Sequence, residues 1–323
     1  MYTEYFGPID RTELNKSTAD LERIARRLQQ GGVIALPTET VYGLGASILS
    51  ESALRRLREL KGSSSQQNFP IYLSNLHQLQ FVAEKTPPLL ELLAKAFLPG
   101  PLTMMLKKHP KLSDALTGRD ERVSVTISSD PLMKKIIDAI GSPLAMPPAS
   151  LPGNPSPTSA THVFQDFGGQ IDGIVDGGST QFGIESTLLS LEDPTRPTLY
   201  RFGAIDVKSL ESVLGMRVEI HPLALLINPE SSLTKLTSVI RLFSSWEEMN
   251  IYLKLSSKSK RMILSDEKPR VKGGDHFELK SSTLYEGLRK ANQESYTEVL
   301  VYCSSKVKQN SSLYQRLKQI AMS

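Results

Sequence analysis

GGVIALPTETVYGLGAS, residues 31–47, holds the pattern from which the fold is read. Gly31-Gly32 halts a helical repeat, and the four apolar residues 33–36 have the length and composition of a buried strand. Pro37 ends that strand. Polar Thr38-Glu39-Thr40 follows, then Gly43 and Gly45, residues that let a backbone approach a ligand or take positive φ. The stretch reads as a binding loop at a strand end, and a turn in which Thr and Gly only satisfy backbone geometry accounts for it equally well. It lacks the third glycine of a dinucleotide fingerprint, and no GxxxxGKS or GxxxxGKT phosphate loop occurs in the chain. Ordinary dehydrogenase and P-loop ATPase readings therefore lose support.

Working outward, residues 18–30 place Leu21, Ile24, Ala25 and Leu28 on one helical face, which gives helix, turn and buried strand in succession. The alternation continues with a basic amphipathic helix over 52–61, a strand at 70–73, a helix over 88–97 and strands at 102–106 and 123–127. A helix over 131–140, a Pro-rich loop from Ser142 to Val163 and strands near 171–175 and 187–191 follow; a helix at 207–214 and a strand at 217–220 close the unit. Helices interleaved with short strands imply an α/β fold, a sheet covered by helices. So long a Pro-rich segment inside a compact domain is expected to be functional.

At 323 residues the chain exceeds the size at which one core keeps growing, so two domains are expected. The pattern loosens over 221–232, then resumes with strands at 262–264 and 298–302 and helices at 283–292 and 313–321. The division expected is a first domain over 1–220, a linker over 221–232 and a smaller α/β domain over 233–323. No repeat of solenoid period is present. With 39% apolar and 22% charged residues the chain has ample core material, which excludes wholesale disorder.

Cys303, the single cysteine, has no intrachain disulfide partner, which fits a reducing compartment. The N-terminal MYTEYFGPIDRTELNK has no apolar signal core, and no apolar run approaches the roughly 20 residues of a membrane span, so a cytoplasmic protein is expected. A net charge of +4 is compatible with nucleotides or RNA but far from a nucleic-acid-binding tail.

Among single residues, Lys61 ends a basic helix at a Gly/Ser/Gln loop, where it can meet a phosphate or carboxylate or simply complement the helix C-terminus. Residues 153–158, GNPSPT, offer hydroxyls ahead of a helix beginning near Ser159, suited to an anion or to capping by Thr158. Ser186-Thr187 opens a strand after Gly183. His77, His109, His162, His221 and His276 show no metal spacing and read as surface or packing residues; Trp246 and the methionines near Met104 and Met146 read as core.

Taken in order, PTETVYGLGA (37–46), LPGPLTMML (98–106), NPSPTSATHV (154–163), GIESTLLSL (183–191) and RFGAI (201–205) resemble the YrdC-like threonylcarbamoyl-AMP synthases, in the long form with an added C-terminal domain. The resemblance covers nearly the whole chain. It implies a twisted mixed sheet with helices, plus a smaller Rossmann-like α/β domain. It also implies a reaction: L-threonine and bicarbonate form a carbamate that attacks the α-phosphate of ATP, Mg²⁺ accompanying the nucleotide, to give threonylcarbamoyl-AMP and pyrophosphate. The product would serve a tRNA threonylcarbamoyl-transfer machinery. Carried over by position, Lys61 is the catalytic lysine, and Thr38, Thr126 and Ser186 are the L-threonine contacts. Ser63, Pro148, Ser150, Ser156 and Arg201 are the ATP contacts. No protein metal ligands are implied.

The chain departs from the family pattern where Ser63 replaces an arginine, Ser74 a histidine and Thr126 an arginine, where Pro148-Ala149-Ser150 replaces an S-A-N triplet, and at Pro152. IHPLALLINPES (220–231) stands where the family linker carries arginine, histidine and tyrosine. Each charged hydrogen bond lost is worth roughly 1.5–3 kcal/mol. Arg122, Lys107 and Lys108 are the nearby cations that compensation would need. Two alternatives stay open: a non-catalytic member of the fold that binds nucleotide, tRNA or double-stranded RNA, and a carbamoyl transfer onto a substrate other than threonine.

Overall fold

The computed structural model describes residues 2–62, 68–118, 120–225, 233, 235–257 and 259–322. The strands of the first sheet are, in chain order, β1 (Glu4–Phe6), β2 (Ile34–Leu36), β3 (Gly43–Ser47), β4 (Ile71–Tyr72), β5 (Leu102–Lys107), β6 (Arg122–Thr126), β7 (Leu144–Ala145), β8 (Gly173–Val175), β9 (Thr187–Ser190), β10 (Thr198–Arg201) and β11 (Glu219–Ile220). They lie in the order β1-β8-β2-β3-β7-β4-β6-β5-β9-β10-β11. Pairing is mixed: β1-β8-β2, β4-β6, β5-β9 and β10-β11 are parallel and the other neighbours antiparallel.

The period of two in residues 33–36 divides the core. Val33 and Ala35 enter one apolar layer with Leu54, Leu57 and Val163, while Ile34 and Leu36 enter the other with Ile24, Leu28, Leu132 and Ile136. The helix Pro131–Ile140 keeps its expected bounds because Asp130 caps its start, Pro131 needs no amide partner there, and Gly141 at φ +77° ends it.

One expectation is overturned. Residues 43–47 are not part of a ligand loop; they form β3, an inner strand paired with β2 and β7. Gly43 and Gly45 do not take positive φ. Their missing side chains make room across the sheet, since a Cβ on Gly43 would sit 2.5 Å from Met146 Cγ and one on Gly45 2.9 Å from Leu36 Cδ1.

Twist decides where the loops meet. Along the ladder β2 and β6 run in opposite senses, four places apart. Roughly 20–25° of twist per strand turns them about a right angle to each other. The segments that follow both strands therefore converge on one corner, where Ser128 donates a hydrogen bond to Glu39 and Arg11 pairs with Asp130 at 2.8 Å.

The second sheet holds β12 (Val239–Phe243), β13 (Arg261–Ser265), β14 (Asp275–Glu278) and β15 (Glu298–Tyr302) in the order β12-β15-β13-β14, all parallel. Ile263 and Leu300 face Trp246 and Met249 on one side; Met262, Leu264, Val299 and Val301 face the helices Ser281–Gln293 and Ser311–Met322 on the other. This is the Rossmann-like α/β unit expected. Of residues 221–232, those at 226–232 lie outside the described residues. The start of the segment is fixed to both units: His221 stacks on Tyr200 at 4.2 Å, and Gln319 donates to the Ala224 carbonyl at 3.1 Å. Among the described residues no helix is long and apolar enough to cross a membrane.

Candidate active site

Thr38 follows Pro37 after the end of β2 and is fully buried. Its hydroxyl donates to the Val41 carbonyl at 2.7 Å, accepts the Thr40 amide at 3.0 Å and lies 2.8 Å from the Thr40 hydroxyl. It thus builds the turn itself, the hydroxyl acting on local backbone as Ser and Thr do at turns. Burial first, and the Glu39 carboxylate next, push the pKa of Tyr72, at the end of β4, well above the ordinary tyrosine range, so its hydroxyl stays neutral.

Thr126 is the register partner of Tyr72, and its hydroxyl donates to the Leu102 carbonyl at 2.7 Å. One strand further, Thr103 and Ser186 share a hydrogen bond of 2.7 Å. Arg201 then reaches Ser186 twice, Nε to its carbonyl at 3.0 Å and Nη2 to its hydroxyl at 3.1 Å. A bulge between Leu199 and Arg201 gives β10 an extra residue, and that irregularity re-aims Arg201 toward β9. Among the described residues Arg201 makes no ion pair, and Nη1 has no hydrogen-bond partner. The corner thus carries a row of hydroxyls and a guanidinium that has no direct ion pair among the described residues, although its charge also acts on the buried Glu185 carboxylate.

The Pro-rich loop lies against the strand opened by the glycines: Leu44 and Tyr42 donate their amides to the Pro147 and Pro157 carbonyls at 2.8 and 2.9 Å, and Ala149 donates to Tyr42 at 2.8 Å. Lys61, buried at the end of the helix Glu51–Leu60, clamps this loop, its ammonium donating to the carbonyls of Pro148 at 2.8 Å and Ser150 at 2.5 Å. Ser156 donates to Glu185 Oε1 at 2.7 Å. Although burial works to raise the Glu185 pKa, the charges of Arg316 and Arg201 and hydrogen bonds from Tyr285 and Ser156 hold it below the ordinary carboxylate range.

The structure therefore gathers Thr38, Thr126, Ser186, Arg201 and Ser156 around one corner, with Lys61, Pro148 and Ser150 beside them. Ser63 lies outside the described residues. Thr158 is not the helix cap: Ser159 caps Ala160–Phe167 through the His162 amide. The three nearby cations are committed elsewhere. Lys107 and Arg122 are register partners at the far ends of β5 and β6, and they pair with Glu84 at 2.7 Å and Asp120 at 2.9 Å; Lys108 pairs with Asp114 at 3.0 Å. None of them supplies the guanidinium absent at Thr126. Sequence reasoning missed Tyr72, Thr103, Glu185, Tyr285 and Arg316. Glu185, inside GIEST, and Thr103, inside LPGPLTMML, stood in motifs.

Two open cavities flank the corner, about 400 Å³ bordered by Pro99, Ser129, Phe182 and Ala204, and about 320 Å³ bordered by Asn154, Asp166 and Arg289. No expected site residue borders either, and the site hydroxyls bond to neighbouring protein groups. Among the described residues no three or more His, Cys, Asp or Glu stand together as a metal site.

His162 gives a pH signature beside the loop. Burial first, and the Arg289 charge next, lower its pKa from 6.5 to about 4, with Asp166 opposing. Its folded value lies below the unfolded one, so the unfolded chain takes up a proton first and stability falls as pH drops from 6.5 toward 4. Urea midpoints measured across that range should decline, and His162→Asn should flatten the decline; an equal slope in both proteins would refute the assignment.

Fold and candidate site define an α/β protein with a large mixed sheet and a smaller parallel sheet, the candidate residues lying at a twisted corner of the larger one. The family model described as Telomere recombination, Sua5/YciO/YrdC, matches residues 26–203, and the chain belongs to that family. It is 40% identical over 195 residues to threonylcarbamoyl-AMP synthase of Pyrococcus abyssi, covering 60% of this chain and 57% of that protein. To the Bacillus subtilis protein of the same name it is 39% identical over 204 residues, covering 63% and 59%. These alignments span less than two thirds of either relative. Among solved structures, P. abyssi Sua5 complexed with L-threonine superposes with a TM-score of 0.86 at 27% identity, covering 100% of this chain and 98% of that one. E. coli YciO shares the fold, with a TM-score of 0.55 at 23% identity over 64% of this chain and 97% of its own.

Proposed function

We propose that this chain is a threonylcarbamoyl-AMP synthase, making threonylcarbamoyl-AMP and pyrophosphate from L-threonine, bicarbonate and ATP for tRNA threonylcarbamoyladenosine modification. The observation that carries the reading is the direct contact of Arg201 with Ser186, beside Thr126 on β6 and Thr38 in the turn after β2. The likeness to a protein complexed with L-threonine, over the whole of this chain, supports the same amino acid here.

In this reading the threonine amine and bicarbonate condense to a carbamate with loss of water. A carbamate oxygen then bonds to the α-phosphorus of ATP as the bond to the β-phosphate oxygen breaks and pyrophosphate leaves. The chain's part is to hold the two anions together and keep water out. Thr38 and Ser186 hold the amino acid, and Arg201 offsets the charge gathering at the phosphate. Lys61 acts by fixing the carbonyls of Pro148 and Ser150, which frame the nucleotide loop, and Ser156 contacts ATP from the same loop. Mg²⁺ would be held by the nucleotide's phosphates. Residues 1–220 form the catalytic domain, and 233–323, joined through 221–232, cover it.

One observation favours a second reading, a nucleotide- or RNA-binding member without turnover: the Thr126 hydroxyl is tied to Leu102 and the nearby cations are paired away. Pyrophosphate release with ATP, Mg²⁺ and bicarbonate, with and without L-threonine and with mass detection of the adenylate, separates the two. Threonine-dependent product is expected; ATP binding with no product would overturn the synthase in favour of the binder. Stimulation by another amino acid instead would reassign the substrate.

A further inference from the structure

The second unit reaches into the site along one helix face. On the helix Ser281–Gln293, Tyr285, Arg289 and Gln293 recur every fourth residue and so share a side. All three bond with the first unit, Tyr285 with Glu185, Arg289 with Asp166 and Gln293 with Gln165. Between the units the fit leaves no room. Gly183 takes φ +65°, and a Cβ there would lie 2.5 Å from the Ser282 Cα. Val41 and Ile184, from the two site segments, are buried in the apolar cluster that contains Leu284 and Tyr285.

Glu185 sits at the centre of this contact. Its Oε1 accepts the Ser156 hydroxyl at 2.7 Å and its Oε2 the Tyr285 hydroxyl at 2.6 Å, while the Tyr285 oxygen accepts Arg316 Nε at 2.7 Å. Arg316 is itself buried. Each member has its donor direction set by the next: the guanidinium can only donate, so Tyr285 must turn its own proton to Glu185, and Glu185, ionised, can only accept from Ser156. The Ser156 hydroxyl is thus left with its proton committed and only its lone pairs to offer a ligand.

We propose that Arg316, Tyr285 and Glu185 form a positioning relay through which the second unit fixes the Ser156 hydroxyl as a hydrogen-bond acceptor for the nucleotide. Tyr285 and Glu185 are positioning residues, since neither need touch substrate. The proposal rests on the reading of Ser156 as an ATP contact. An oriented acceptor suits a donor on the nucleoside, a ribose hydroxyl or the base amine, and not a phosphate oxygen.

The test is Tyr285→Phe, which removes one hydroxyl and keeps the ring, alongside Ser156→Ala and the double variant, in the full chain. Both ATP affinity, by calorimetry, and steady-state constants are measured. Tyr285→Phe is expected to weaken ATP binding about tenfold, the scale of one hydrogen bond to a charged group. KM for ATP should rise with it while kcat and KM for threonine hold. Ser156→Ala should do the same, and the double variant no more than either alone. Unchanged ATP affinity in Tyr285→Phe, or multiplying effects in the double variant, would overturn the relay and leave the synthase reading intact. Wild-type protein that binds no ATP would overturn both.

Discussion

Alanine at Gly203 is expected to lower threonine-dependent pyrophosphate release by about 100-fold or more. Gly203 follows β10 by two residues, and an added Cβ would lie 2.3 Å from both Ser186 C and Thr187 N and 2.5 Å from the Glu185 carbonyl oxygen. These are backbone atoms at the start of β9, so no side-chain rotation relieves the clash; β9 or the Arg201 segment must move. A displacement of about 1 Å at reacting groups costs on the order of 100-fold. The same shift pulls Ser186 from Arg201 and Glu185 from Ser156, so the Arg201 contact and the orientation of Ser156 loosen at once. Gly215→Ala is the control: its Cβ would meet nothing within 4 Å, although φ is +66°, so it should cost about 1 kcal/mol of stability and no activity. Kinetics of the two variants, with circular dichroism to verify folding, decide the matter. Full activity in Gly203→Ala would mean that the strand ends are not held as tightly as the packing indicates.

Arg289→Ala is expected to destabilise the protein by about 3–5 kcal/mol, the cost of leaving a buried carboxylate without its cation. Arg289 and Asp166 are only 6% and 5% exposed and pair through 2.7 and 3.2 Å hydrogen bonds, with a further bond from Arg289 to the Pro155 carbonyl at 2.5 Å. Asp166 also accepts from Asn154 at 2.9 Å, so the pair ties the second unit to the site loop. The melting temperature should fall by roughly 5 °C. Because a buried ion pair is weak evidence of net stability, the double variant Arg289→Leu with Asp166→Leu should recover most of the loss. Scanning calorimetry of the three proteins tests this; a single variant as stable as wild type would show that the pair is solvated.

Many elements were legible before the structure. The helices at 88–97, 131–140 and 207–214 form at their expected bounds because proline, capping acid and glycine mark their ends; β15 does so too, and β5 and β6 fall within one residue of theirs, because apolar alternation marks buried strands. Local signals failed where packing outweighed them. Gly43-Leu44-Gly45 reads as a loop, and becomes a strand because its neighbours fill the space that glycine leaves. β1, β12 and β14, which pair along one side only, and the helix Trp246–Leu255, whose apolar residues form no clear stripe, passed unread.

For the site, the sequence by itself determined the chemical groups: the hydroxyls of Thr38, Thr126, Ser156 and Ser186 and the two cations Lys61 and Arg201. Those are properties of residue types and survive any arrangement of the chain. Which groups meet was decided by tertiary structure alone. Twist accumulated over four strands turns β2 and β6 onto one corner, a bulge re-aims Arg201, and a helix some hundred residues downstream supplies Tyr285 to Glu185. Each of these is a sum over long-range contacts, and no local window of sequence contains it.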